Sequence, residues 1–349
     1  MAEPKTTIPK GSWVLVTGAT GYVASQVAKY FLERGYKVRG SVRDLKKASW
    51  LVDDVFKSFA DRGDFELVLV PDFAADHAFD DAVRGVSAIA HVASIVTFDP
   101  DPTKVIPQTV RGAVSILEAA LREPSVREFV YTSSIVAATI PMPGNKTHVD
   151  RDTWNETAVQ LAWSPPPYDA SRGSIVYMAS KTEAEKAVWK FVEEKQPHFT
   201  VNSVCPSSIM GEPLHKSHIE SSASWLKLLY DGKTERLANF PASYNIDVKD
   251  VALLHVAAVL DPDVKNARLQ AWAEPFNWND VLVIMRRLYP DHKFVDDLPG
   301  MSELSLTTDF TQQLSLLKKW GGQDGWRTLE QTVEDNLRAI VAWEDKSRI

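Results

Sequence analysis

Trp13-Val14-Leu15-Val16-Thr17-Gly18-Ala19-Thr20-Gly21-Tyr22-Val23-Ala24 is the stretch on which the reading of the chain turns. A short apolar run ends in two glycines, and behind them Val23, Val27, Tyr30 and Phe31 recur at helical spacing until Gly35. Gly18-x-x-Gly21-x-x-Ala24 thus lies between a strand and a helix. There glycine permits a tight turn and close approach of backbone N–H groups to a pyrophosphate, while a small third residue lets helix and strand pack closely. The helix N-terminus adds oriented donors and partial positive charge. Gly18, Thr20, Gly21, Tyr22 and Val23 are therefore candidate dinucleotide contacts.

Working outward, strands are expected at residues 38–42, 65–70, 88–92, 129–132 and 200–205. Helices are expected at 45–59, 105–121 and 175–194 between them. This alternation indicates an α/β fold, a doubly wound parallel sheet of Rossmann type, with a smaller C-terminal substrate-binding lobe. Residues 1–10 read as a tail and 11–208 as the dinucleotide-binding domain. A helix at 248–260 and a strand at 268–272 are expected inside a segment, 246–273, that packs back onto that domain. Residues 209–245 and 274–349 form the smaller lobe, and the half of the chain from about residue 207 carries Trp225, Trp272, Trp278, Trp320, Trp326 and Trp343. Residues 141–172 read as a long loop near the same edge.

Composition narrows the function classes. The 349 residues are 44% hydrophobic and 24% charged, and 46 acidic against 39 basic side chains give a net charge of −7. That balance disfavours a nucleic-acid or anionic-membrane partner. No apolar run approaches the ~18 residues of a membrane span. The N-terminus lacks the apolar stretch of a secretory signal. One cysteine, Cys205, excludes an intramolecular disulfide and any Cys-cluster metal site, and suits a reducing, cytoplasmic location.

NAD-binding sheets usually end the second strand with an acidic residue that holds the ribose hydroxyls. Here Arg43 follows Val42, with Lys46 and Lys47 beyond. A guanidinium suits a 2′-phosphate, so the cofactor expected is NADP(H). Tyr177-x-x-x-Lys181 then places a phenol and an ammonium on one helix face. Nearby positive charge would bring the phenol towards neutrality, where a general acid works best. The pattern is cheap, since Tyr289-x-x-x-Lys293 repeats it, but Pro290 disfavours a helix through that second pair. A third member is expected where the fifth strand ends, in Thr132-Ser133-Ser134. Spacing alone does not choose between the serines.

With these residues assembled, the chain resembles the extended short-chain dehydrogenase/reductase superfamily, in its dihydroflavonol-reductase-like branch, and most of all yeast-type NADPH-dependent carbonyl (aldehyde) reductases. The resemblance covers nearly the whole chain. It runs through residues 15–25, 35–40, 91–94, 132–134, 177–185 and 195–200. It implies that Ser134, Tyr177 and Lys181 are catalytic, with Thr132 and Ser133 beside the nicotinamide. It places Asp72 and Phe73 near the adenine, Ala93 along the cofactor cleft, and Pro206 and Ile209 at the carboxamide. Phe98, Trp225 and Phe240 become candidate substrate contacts. The activity implied is reduction of an apolar or aryl ketone or aldehyde by a monomer or homodimer, with no metal. One departure is Thr109, where many members carry an Asn in a proton relay.

Two other readings were weighed. A nucleotide-sugar epimerase or dehydratase would retain NAD, against Arg43. A non-catalytic NADP(H)-sensing regulator has no need of the Ser–Tyr–Lys set. His215 and His218 read as solvated surface histidines, His91 as hydrogen-bonded core, and Cys205 as an inert buried thiol.

Overall fold

Side chains on alternate strand positions enter two different apolar clusters, and this builds the central sheet between two layers of helices. The structure, a computed structural model, describes residues 4–347. In β1 (Trp13–Val16), Val14 and Val16 bury on one face and Leu15 on the other. The same split separates Ala88 and Ala90 from Ile89 in β4 (Ala88–His91), and Val130 from Phe129 and Tyr131 in β5 (Glu128–Thr132). With β2 (Lys37–Val42), β3 (Phe65–Leu69), β6 (Thr200–Pro206) and β9 (Arg268–Ala271), these strands form a seven-stranded sheet of order β3-β2-β1-β4-β5-β6-β9. Every neighbouring pair in it is parallel. The order reverses between β1 and β4, the place where such sheets open a ligand crevice at the strands' carboxyl ends.

Helix α1 (Tyr22–Glu33) and helix α7 (Val248–Leu260) cover one face. Helices α3 (Pro102–Arg122) and α5 (Gly173–Lys195) cover the other. Helix α3 begins earlier than its apolar periodicity shows. Asp101 caps it by accepting from Thr103 N at 3.0 Å, and Pro102 suits the first turn. Apart from Lys249, the residues of α7 are all buried, as a helix enclosed by neighbours on all sides requires.

Three expectations change. Residues 45–59 do not form one helix: turns lead into a π turn at Leu51–Val55 and the short α2 (Lys57–Ala60). Leu51 and Phe56 are both fully buried, and an α-helix would splay residues five apart by about 140°. The wider turn, closed by Phe56 N to Leu51 O at 2.7 Å, brings both inward. The segment 141–172 is not one loop either. It contains α4 (Glu156–Ala162), capped by Asn155, and a bridge from His148 to Thr307. Beyond β6, a small second sheet of order β10-β8-β7 joins β7 (Ser208–Met210), β8 (Ser243–Asp247) and β10 (Pro275–Phe276).

The second lobe packs α6 (Trp225–Tyr230), α8 (Trp278–Leu288) and α10 (Leu329–Ser347) around Leu226, Trp278, Val281 and Val333. Trp320, in α9 (Thr311–Gly321), and Trp326 instead pack on the main sheet's helical layer, which corrects their assignment to the lobe. The Trp320 indole donates to Asp261 at 2.8 Å. Trp272 is buried in a cluster with Tyr244. Most of these tryptophans are framework.

Candidate active site

Gly18 adopts φ +66°, and a Cβ there would stand 3.2 Å from the Ala93 Cβ. Gly40 in β2 makes room from the other side, because a Cβ on it would come within 2.7 Å of Ala19. The turn is tied by Ala19 N to Ser41 O (2.9 Å) and Gly21 N to Gly18 O (2.8 Å). Helix α1 then starts at Tyr22 with no side-chain cap and no acidic residue in its first turn. Its leading amides have no intrahelical acceptor, and the backbone lies bare of side chains at the glycines. This cradle fits a pyrophosphate. The Tyr22 hydroxyl is turned away to the Gly211 carbonyl (2.8 Å), so this residue offers its backbone only.

At the end of β2, Arg43 and Lys47 are exposed. Asp44 is committed locally, its Oδ1 accepting from Lys47 N at 3.0 Å. Guanidinium and ammonium thus stand exposed just past the end of β2, with the neighbouring Asp44 carboxylate turned to backbone. Asp72 is exposed and accepts from Ala74 N (2.9 Å). Phe73 lies so close to α3 that a Cβ on Gly112 would be 2.1 Å from its ring.

The phenol and ammonium sit one turn apart on α5, over the end of β5. Lys181 is 4% exposed and donates from Nζ to Thr132 O at 3.3 Å. Tyr177 is half-buried, its ring 5.4 Å from that of Phe98. The three strand-end hydroxyls have different partners. Thr132 Oγ1 lies 2.7 Å from His255 Nε2, and Ser133 Oγ donates to Glu185 Oε2 at 2.7 Å. Ser134 is half-buried and makes only long contacts, to Pro206 O (3.3 Å) and from Val136 N (3.4 Å). Ser133 is held by a buried carboxylate; Ser134 is the hydroxyl left free to be redirected.

The electrostatics differ from expectation. Burial pushes the Tyr177 phenol up to about 12, with no compensating pull from Lys181. The same burial lowers Lys181 to about 8, opposed by Glu185 and Cys205. In the protein alone, desolvation outweighs the attraction between the pair.

Pro206 is buried, while Ile209 is half-buried and packs beside Tyr22 and Val248. Phe98 and Phe240 are 55% and 52% exposed. Trp225 packs near-parallel to Phe240, ring centroids 6.3 Å apart. Thr109 turns its hydroxyl back to Val105 O (2.8 Å) within α3. His91 is buried, 2.9 Å from Thr17 Oγ1, and the Cys205 thiol is pushed up to about 12 by burial. His215 and His218 are not solvated surface groups. His215 stacks on Trp50 at 4.0 Å, and His218 is buried against Trp50 and Tyr22 in a reciprocally capped turn. Among the described residues no cluster of three His, Cys, Asp or Glu could hold a metal ion, and no helix is long and apolar enough to cross a membrane.

Sequence reasoning missed the buried Glu185–Arg268 ion pair (3.0 Å) and His255 beneath Thr132. Glu185 stands four residues past Lys181, which was a usable signal. Nothing local marked Arg268 or His255.

A parallel sheet with this switch point, a glycine cradle after β1, and a tyrosine and lysine on the helix over the end of β5 define a dinucleotide-binding α/β class. The chain belongs to the NAD dependent epimerase/dehydratase family, whose model matches residues 14–268. It is 40% identical over 335 residues to the NAD-dependent epimerase/dehydratase terH of Aspergillus terreus (95% of this chain, 98% of that one). It is 37% identical to aldehyde reductase 2 of Sporidiobolus salmonicolor (96% and 98% covered) and 37% identical to the ketoreductase adrE of Penicillium rubens (95% and 97%). Among solved structures, yeast methylglyoxal/isovaleraldehyde reductase Gre2 complexed with NADPH superposes with a TM-score of 0.79 at 26% identity, covering 96% of this chain and 99% of that one.

Proposed function

We propose that this protein is an NADPH-dependent carbonyl reductase that converts an apolar or aryl ketone or aldehyde to the alcohol. The observation that carries the reading is the buried Lys181 ammonium bonded to Thr132 O, which brings α5, with Tyr177 one turn before it, to the strand end that carries the weakly held Ser134. Relatives named for aldehyde and ketone reduction, and a structural neighbour solved with NADPH, support the same chemistry. When bound, NADPH supplies hydride to the carbonyl carbon. Gly18, Thr20, Gly21, Tyr22 and Val23 would hold its pyrophosphate, and Arg43 and Lys47 its 2′-phosphate. Asp72, Phe73, Ala93, Thr132, Pro206 and Ile209 border its two ends.

Ser134 Oγ donates a hydrogen bond to the carbonyl oxygen, stabilising the charge that develops there. Tyr177 gives that oxygen its proton. A phenol near 12 is fully protonated at neutral pH, as a donor must be. The Lys181 ammonium offsets the phenolate left behind and holds the ribose. Phe98 beside the phenol, and the stacked Trp225 and Phe240 of the second lobe, offer exposed apolar rings that suit an apolar substrate.

The test is NADPH- against NADH-driven reduction of a panel of aryl ketones and aldehydes. Tyr177→Phe is expected to lower kcat by about 10²–10⁴-fold while NADPH binding, followed by fluorescence, stays nearly intact. Retained turnover rejects the assignment.

A further inference from the structure

Glu185 is a buried carboxylate with no part in the chemistry above. It lies one helical turn beyond Lys181 and is 0% exposed. Oε2 accepts from Ser133 Oγ (2.7 Å) and Arg268 Nη2 (3.0 Å), and Oε1 from Ser203 Oγ (2.8 Å) and Arg268 Nε (3.0 Å). Its partners come from β5, β6 and β9, so one side chain ties α5 to three strands. Arg268 is itself fixed, 3.9 Å from the Trp154 ring centre and bonded to Thr153 O (2.6 Å) and Arg151 O (3.1 Å). A buried ion pair is a poor device for stability alone, because desolvating both ions costs several kcal/mol and apolar residues of equal volume often serve as well. Its location beside the reaction centre calls for another account.

Lys181 is the group that most needs a counter-charge. Burial strips protons from an ammonium. Around it stand Tyr131 of β5, its ring 5.9 Å away, His91 of β4, Cys205 of β6, and Tyr177 and Glu185 of its own helix. His91 is held neutral by burial, the Cys205 thiol stays protonated, and burial raises both phenols. Among these groups Glu185 carries the negative charge.

We propose that Glu185 is a positioning residue of the reaction centre, keeping the Lys181 ammonium charged inside the fold and, through Ser133, orienting the strand end that presents Ser134. The proposal rests on the reading that Tyr177 and Lys181 carry the chemistry. A neutral lysine could neither offset the phenolate nor hold the ribose by charge. Arg268 locks the carboxylate in place.

The test is the pH dependence of kcat/KM for NADPH-driven reduction by the full chain. Wild type, Ser133→Ala and the charge-neutral double variant Glu185→Gln/Arg268→Gln are compared. The basic limb is expected near pH 8 in the first two. In the double variant it should fall by about one unit, a loss of about fivefold at pH 8 that recovers on acidification. A folded double variant whose limb stays in place overturns the proposal. Should it not fold, Glu185→Asp decides. This variant retains the charge, so its limb should hold while kcat drops through lost positioning, and a limb displaced by a full unit overturns the proposal. A wild-type limb below pH 7 does so as well. Lys181→Met separates the two levels: wild-type turnover in that variant rejects the catalytic reading and this proposal together. An inactive Lys181→Met beside an unshifted limb rejects this proposal alone.

Discussion

At the end of β2, an exposed Arg43 stands beside Asp44, whose carboxylate is already used by Lys47 N. Arg43→Ala should therefore weaken NADPH by about tenfold or more, the worth of one or two charge-assisted hydrogen bonds, and leave NADH within about twofold. Equal losses for the two coenzymes, measured by fluorescence titration, would refute a phosphate role. Arg43's place at the end of β2 was legible because it depends on chain-local order: an Arg directly after a strand that follows a glycine turn. The Tyr177–Lys181 pair was legible for the same reason, as a four-residue helical spacing. The Glu185–Arg268 pair spans 83 residues and depends on β9 lying beside β6, which no local pattern encodes. The choice of Ser134 over Ser133 was hidden likewise, since it turns on which hydroxyl meets that distant pair.

Among the elements, α5 carries the phenol, the ammonium and the buried carboxylate, and its first residue fits it against the cleft wall. A Cβ on Gly173 would stand 2.2 Å from the Phe98 carbonyl oxygen, which is backbone and has little freedom to yield. Gly173→Ala should push the Phe98 strap off Tyr177. We expect KM for an aryl ketone to rise severalfold, NADPH affinity to hold, and stability to fall by about 1–3 kcal/mol. Unchanged KM and thermal midpoint would show that the strap relaxes freely. Periodicity exposed α1, whose buried face repeats over three turns, while α7 showed as an unbroken apolar run because it is buried all round and α5 as a long run of good helix formers. It failed at residues 45–59, where Leu51 and Phe56 need a π turn to share one face. It failed also at β7 and β10, strands of three and two residues that are too short to show alternation.

Across the whole molecule, the buried titratable groups set how stability follows pH. Burial holds His91 at about 3 and His218 and His255 at about 4, and lowers His215 in the same sense. A histidine depressed in the folded state contributes stability that is complete above its unfolded value near ~6.5 and is lost as pH falls below it. Three carboxyls act in the opposite sense: burial raises Glu128 to about 8 and Asp250 to about 6, and raises Asp247 in the same direction. A raised carboxyl contributes stability that is complete below its unfolded value and is lost as pH climbs to the folded one. Between about pH 6.5 and 8 the histidines no longer act and Glu128 still does, so stability should fall by about 1.4 kcal/mol per unit or more as pH rises. Below about 6.5 the histidines outnumber the carboxyls, and stability should fall again on acidification. The expected profile is therefore a maximum near pH 6.5, read from calorimetric midpoints between pH 5 and 8 at constant ionic strength. Glu128→Gln should flatten the alkaline side and, because the same carboxyl opposes the histidines below pH 6.5, steepen the fall on the acid side. A midpoint that climbs steadily to pH 8 in the wild-type protein would mean that Glu128 is ionised in its place at the start of β5, and that the alkaline half of the argument is wrong.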